Sequence, residues 1–430
     1  MSTAHVYPAT IGLPTGADLY KWSVIASDQF SASPAYWKRA DEIVGASPST
    51  LRLMVPEVYL TIDSAEELQE RVAATWEAMR DYRENVLTFT PNTVIYVERK
   101  TPHVDYRRSL VLALDLETYS YTGDSSADVR ASEATVLERI PAREVVRRDA
   151  SIELPHVQVL YDDPENRVLS ILEGAAGNLE KLYETELMLG GGSVAGWRID
   201  GNSQTWTQIK RVLDGLESKH GFRFIVGDGN HSLAAAKSHW EKVKAAGLQA
   251  EGAEADAERD LEEFEVSKHP ARYALVELLN VHDEGLTMEP IHRWLRGISP
   301  DQLQEAAAKW NDAHDGELVS LELQTPEGAD TLSLTQPGAL IIESVQEVID
   351  ALIDELALEP SHACEYIHGS DELSRLVSEE GGIGITLPAL DRSSLFDYVA
   401  QKGAMPRKSF SLGEAEEKRY YLETRVIVND

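Results

Sequence analysis

The chain has 430 residues, 43% of them hydrophobic, enough for a large folded core and for two or three domains. Its 73 acidic against 40 basic residues give a net charge of −33, a surface that repels a phosphate backbone, so general nucleic-acid binding is disfavoured. No apolar run approaches the roughly 18 residues of a membrane-spanning helix, and Met1 to Pro8 carry neither a basic region nor an apolar stretch, so the expectation is a cytoplasmic protein with no membrane partner.

Residues 19–26 read as a strand that ends in Ser27-Asp28-Gln29. Ser33 and Pro34 then open a helix as N-cap and first helical residue. Pro56 and Glu57 interrupt the apolar segment 51–60, which argues against a central strand there. Ser64 with Glu67 forms a capping box for a helix to about residue 84. Strands are expected at 93–98 and 110–116, and the basic group Arg99, Lys100, Arg107 and Arg108 between them reads as a solvated hairpin end or an anion contact. A strand at 155–161, a glycine-weakened helix at 166–182 and a hairpin turning at Gly190-Gly191-Gly192 follow. A helix at 206–216 leads into a strand from Phe222. Residues 245–263, rich in alanine and acids, read as a surface helix or loop, and 272–281 as a long apolar strand. Beyond about 297 the pattern is α+β, with helices at 301–313, 344–357 and 370–379, strands at 317–323, 331–335, 364–368 and 383–387, a helix from Ser393 and a final strand at 419–428. The single cysteine, Cys364, excludes an internal disulfide and a cysteine-based zinc site and reads as a small buried hydrophobe.

The stretch richest in chemistry is Gly227-Asp228-Gly229-Asn230-His231-Ser232. It lies between the β-formers Phe222 to Val226 and a helix expected from about Leu233, capped by Asn230 or Ser232. Glycines permit the turn, and a helix N-terminus favours an anion. A purely structural turn has no need of an acid, an amide and an imidazole together. Asp28, Glu57, His292, Arg293, Arg407 and Lys408 lie at other strand ends or loops. Each also has a plain structural reading: a turn cap for Asp28, a surface pair for His292 and Arg293, solvated loop charges for Arg407 and Lys408. With a nucleotide as ligand, the Gly229–His231 turn would hold phosphate and Asp228 would hold Mg²⁺. Arg293, Arg407 and Lys408 would neutralise charge, and Asp28 or Glu57 would accept a hydroxyl proton. No G-x-x-x-x-G-K-[ST], H-E-x-x-H or G-x-S-x-G pattern occurs, so common nucleotide folds, zinc hydrolases and serine hydrolases are not indicated.

Lys21 to Phe30 with Tyr36-Trp37, Pro48-Ser49-Thr50 with Pro56 to Leu60, Gly227 to Ser232, Glu289 to Arg293, and Met405 to Ser409 together resemble the uncharacterised bacterial DUF1015 family over nearly the whole chain. That family looks distantly related to the ParB/sulfiredoxin fold group, whose members include phosphotransferases acting on free serine, a sulfinic-acid reductase and nucleotide-switched DNA-segregation proteins. The resemblance implies a mixed-sheet ParB/sulfiredoxin-like nucleotide-binding core over 1–297 and a C-terminal α+β region over 298–430 carrying the Met405–Ser409 loop. It implies nucleotide handling, ATP or ADP with Mg²⁺, at Asp228 to Ser232. Ser232 stands where many relatives have arginine, and Arg407-Lys408 would supply that charge instead. Cys364 lies in none of these motifs, so a thiol mechanism is not supported. Two readings follow: a nucleotide-dependent phosphotransferase acting on a small hydroxylated metabolite, such as a free amino acid, and a nucleotide-sensing or partner-binding protein without turnover. A DNA-segregation role is opposed by the charge. Oligomeric state is not legible.

Overall fold

The computed structural model describes residues 3–31, 33–124, 126–135, 140–251 and 268–429. It is a mixed α+β structure that divides into two compact units, Met1–Leu286 with Gly413–Asp430, and Thr287–Leu412. The boundary expected at 297 and this division place the strand Met288–Leu295 and the segment from Gly413 onward differently. Among the described residues no helix is long and apolar enough to cross a membrane.

The first unit is built on a large mixed sheet. Its central strands lie in the order Leu87–Lys100, Arg107–Asp115, Tyr273–Asn280, Val157–Tyr161 and Phe224–Asp228. Tyr273–Asn280 pairs parallel with Val157–Tyr161, and Val157–Tyr161 pairs antiparallel with Phe224–Asp228. These strands are apolar almost throughout because both faces are covered. Side chains alternate across a strand. Leu110, Leu112 and Leu114 enter one core with Val159, Phe224, Leu233 and Trp240. Val111 and Ala113 enter the other, with Val24, Trp37, Leu275 and Tyr420. The expected hairpin at the triglycine turn is present as Glu180–Glu186 paired with Ser193–Asp200. The capping box at Ser64 opens the helix Ala65–Asn85 with both reciprocal hydrogen bonds made.

Residues 19–26 are not one strand. Asp18 accepts the Tyr20 N–H and caps a single helical turn, Leu19–Trp22, which buries Trp22. Only Val24–Ile25 is extended, paired antiparallel with Tyr420–Tyr421. The final strand expected at 419–428 is likewise two short pieces, Tyr420–Tyr421 and Arg425–Val426, the second paired with Ile152–Glu153. The helix expected at 166–182 stops at Ala175, and a strand starts at Glu180. The basic group at 99–108 is neither a solvated end nor an anion contact. Arg99 and Arg107 are buried, and their guanidiniums donate to the carbonyls of Glu416, Glu417 and Lys418, clamping the returning segment.

The second unit has a six-stranded sheet, counted over the described residues, in the order Gly328–Gln336, Glu317–Thr325, Ile383–Ile385, Met288–Leu295 and Cys364–His368. Phe410–Leu412 pairs with the start of Met288–Leu295. Helices Pro300–Ala313 and Ile341–Glu355 cover a core that includes Leu303, Leu321, Leu332, Val345 and Ile349. Cys364 is buried in it, as expected.

Candidate functional site

The strand Phe224–Asp228 ends in a distortion of the ladder. Its register against Val157–Tyr161 shifts between Val226 and Asp228, which marks Gly227 as a bulge that re-aims the turn. Gly229 follows in the left-handed region, with φ +83°. A Cβ there would lie 3.0 Å from His156 Cδ2 and 3.2 Å from Val157 Cα, so the turn sits directly against the start of the neighbouring strand. The helix begins at once, as Asn230–Glu251, three residues earlier than the apolar pattern predicts. Residues 252–263 of the alanine- and acid-rich stretch lie outside the described residues.

Asp228 is held on both sides. One carboxylate oxygen accepts the Gly229 N–H at 3.0 Å and the other faces the Lys418 ammonium at 3.1 Å. Among the described residues no group of three or more His, Cys, Asp or Glu side chains is placed to hold a metal ion. The cation opposite Asp228, where the sequence suggests Mg²⁺, is thus Lys418. Asn230 Nδ2 donates to Ser132 Oγ at 3.2 Å. His231 is half-buried on the first helical turn.

Asp28 arrives at the same place from the other end of the unit. Ala26 N–H donates to Arg419 O at 2.7 Å, Ser27 N–H to the Tyr421 hydroxyl at 3.1 Å, and Glu57 N–H to Ser27 O at 2.7 Å. Asp28 Oδ2 then lies 3.4 Å from His156 Nε2, and His156 Nδ1 lies 2.5 Å from the Tyr421 hydroxyl. Burial alone would raise the Asp28 carboxyl, but the His156 ring and the Lys418 ammonium outweigh it and hold it well below the usual carboxylate range. Burial would lower His156, and the Tyr421 oxygen and the Asp28 carboxylate overcome that, raising it well above the ordinary imidazole value. The ring is an imidazolium at neutral pH.

These groups border a cavity of about 160 Å³. Asp28, Glu57, Ser232, His156 and Tyr421 line it, with an apolar wall that includes Leu53, Met79, Ile152, Leu154 and Ile427. Arg143 and Arg147, one turn apart on the helix Ile140–Arg148, also face it. Arg143 is 2.7 Å from Glu57, a carboxylate with 28% of its side chain exposed. Arg147 is 2.6 Å from Glu153, which has only 6% exposed and is also held by Arg425.

The structure therefore brings Asp28, Glu57, Asp228 and Ser232 around His156. The sequence reading had not singled out His156, Arg143, Arg147, Lys418 or Tyr421. The strand-end rule that marks Asp228 marks His156 equally, since Pro155-His156 opens the strand beside it. Nothing local marks Lys418 or Tyr421.

His292 and Arg293 lie in the second unit, 3% and 0% exposed. His292 Nδ1 accepts the Leu387 N–H at 3.1 Å, and burial lowers its pKa, helped by His368 and Arg293. Arg293 donates to Ile291 O, Lys408 O and Gln346 and stacks on Tyr366 at 4.6 Å. The Glu289–Arg293 and Met405–Ser409 motifs thus meet each other through a backbone contact, and Arg407 and Lys408 are exposed.

A family model described as "Protein of unknown function (DUF1015)" matches residues 11–381. The chain belongs to the DUF1015 family. The match takes in Asp28, Glu57, Gly227 to Ser232, His292 and Arg293. It stops short of Met405–Ser409 and of the segment that brings Lys418 and Tyr421 to this DUF1015 cavity. No curated protein matches the sequence. Among solved structures, the chain is similar to a conserved hypothetical protein from Pyrococcus furiosus, at 13% identity and a TM-score of 0.34, over 70% of this chain and 90% of that one. It is similar to a free serine kinase in complex with AMP, at 12% identity and 0.36, over 74% and 91%. It is also similar to C-terminally truncated SbnI from Staphylococcus aureus, at 9% and 0.34, over 70% and 82%. Likenesses of this size transfer neither fold nor activity, and the site stands on this chain's own residues.

Proposed function

We propose that this DUF1015 protein is a nucleotide-dependent phosphotransferase acting on a small hydroxylated metabolite. The observation that carries the reading is that Asp28 and the Asp228-Gly229 turn, far apart in sequence, both abut His156. On this reading Gly227 to Ser232, with Asn230 and His231 on the first helical turn, hold the phosphates of ATP or ADP, where a helix N-terminus favours anions. The ParB/sulfiredoxin-like description of the core belongs to the same proposal and is supported by the strand–turn–helix unit within a mixed sheet. The metabolite occupies the cavity beside Asp28 and Glu57. Lys418 and the His156 imidazolium supply positive charge where charge develops. Asp28 is held too low to be a strong base at neutral pH. Phosphoryl transfer is mainly positioning and electrostatics, and a carboxylate that orients the attacking hydroxyl is sufficient.

Isothermal titration with ATP, ADP and CTP in the presence of Mg²⁺ tests the nucleotide part. Absence of binding by all three at millimolar concentration removes the reading. His231→Ala is expected to weaken binding with the fold intact. An Arg407→Ala, Lys408→Ala double variant with unchanged affinity removes those two side chains from the phosphate role. Phosphorus NMR over a panel of hydroxylated metabolites then reads turnover. Binding without product supports the alternative, a nucleotide sensor, which the low basicity of Asp28 favours.

A further inference from the structure

The hydrogen-bond count at Tyr421 has a chemical consequence. Its oxygen receives the Ser27 N–H at 3.1 Å. It also sits 2.5 Å from His156 Nδ1, whose other nitrogen faces Asp28. An imidazolium donates from both nitrogens and accepts from neither. The Tyr421 oxygen therefore accepts two N–H bonds, and its own hydrogen has to go to a third partner. Among the described residues no third partner meets it, although the residue is only 2% exposed. The side chain lines the cavity, and a buried donor with no acceptor is costly.

Two further features say what the acceptor carries. Arg147 is committed to Glu153, a buried carboxylate, whereas the partner of Arg143 is the partly exposed Glu57. An incoming anion can take Arg143 and leave Glu57 to solvent, an exchange that Glu153 could not make without burying a bare charge. The wall from Leu53 to Ile427 is apolar, and about 160 Å³ is room for only about five water-sized groups at ~30 Å³ each.

We propose that the Tyr421 hydroxyl donates to a small oxyanion, a carboxylate or a phosphate monoester on a short aliphatic body, held in this cavity with Arg143 as its counter-ion. The inference rests on the reading of this cavity as the metabolite side of the site, but it needs no nucleotide.

The test is calorimetric titration of the full chain, free of nucleotide, with butyrate, propyl phosphate and butanol. Butyrate or propyl phosphate should bind, and which of them does identifies the anion; butanol should not bind in the same range. Tyr421→Phe should weaken the bound anion about tenfold or more, the scale of a lost hydrogen bond to a charged group, and Arg143→Gln should weaken it too. In the unmutated protein, carrying [13Cζ]-tyrosine, the Tyr421 resonance should move on titration. Binding of neither anion at millimolar concentration, butanol binding equally well, or an unmoved Tyr421 resonance with the anion bound would each overturn the proposal. Failure of ATP, ADP and CTP to bind would leave these results standing.

Discussion

The Lys418 ammonium lies 3.1 Å from Asp228 Oδ2, across 190 positions of sequence. That contact joins the returning C-terminal segment to the glycine turn. It has a measurable weight, because the Lys418 side chain is 8% exposed and that of Asp228 30%. Lys418→Met is expected to lower the unfolding free energy by about 1–2 kcal/mol, the order of a hydrogen bond to a charged group, read by urea denaturation. A midpoint identical to that of the unchanged protein would show that the pair is idle.

The Asp28–His156 pair makes stability depend on pH in both directions. The depressed carboxyl contributes stability that is present above its unfolded value of about 4 and lost as pH falls through the lower folded value. The raised imidazole contributes stability that is full below its unfolded value of about 6.5 and lost as pH rises toward the folded value. The interaction is therefore strongest between about pH 4 and 6.5. Denaturation at pH 5.5, 7 and 8.5 should show the unchanged protein losing ground to His156→Gln as pH rises. Parallel profiles would contradict the imidazolium.

Arg99 clamps the segment at 416–418 through several backbone carbonyls. Arg99→Ala should cost about 2–4 kcal/mol, two or more charge-assisted bonds with buried acceptors left behind. It should also open residues 413–429 to limited proteolysis. Arg99→Lys should recover only part of this, since an ammonium cannot reproduce the planar fork. Mass spectrometry of the early fragments locates the cut.

Gly229→Ala places a Cβ at a positive φ, which costs about 1–2 kcal/mol in a non-glycine residue. It also presses that carbon on His156 Cδ2. The variant should lose stability by that amount and should shift the His156 ring resonances in NMR. A shift without stability loss would mean that the ring gives way freely.

How far the sequence could lead is visible at particular residues. Capping at Ser64, the triglycine hairpin, the strand at Cys364–His368 and the strand–turn–helix at Gly227 to Ser232 are written in local chemistry and were legible. The strand assigned to 19–26 fails because Asp18 caps a helical turn ahead of it, and one capping side chain outweighs an apolar run. Arg99 and Arg107 read as surface charges because their partners are backbone carbonyls some 310 to 318 residues away. Backbone carbonyls leave no trace in composition. Lys418 and Tyr421 were missed for the same reason, since what makes them site residues is long-range pairing. Asp28 and Asp228 were found because they sit in turns. His156, one neighbour strand away from Asp228, shows that the rule was sound and was applied too narrowly.

The last strand pieces of the first unit are made after all of the second. During synthesis, Arg99, Arg107, Trp22 and His156 emerge from the ribosome hundreds of residues before the segment that satisfies them. The large sheet can collapse early, but its final locking step waits for residues 413–429, so a chain stalled within the second unit carries an open, unfinished first unit. Quality control would meet that nascent species with buried guanidiniums still seeking carbonyls.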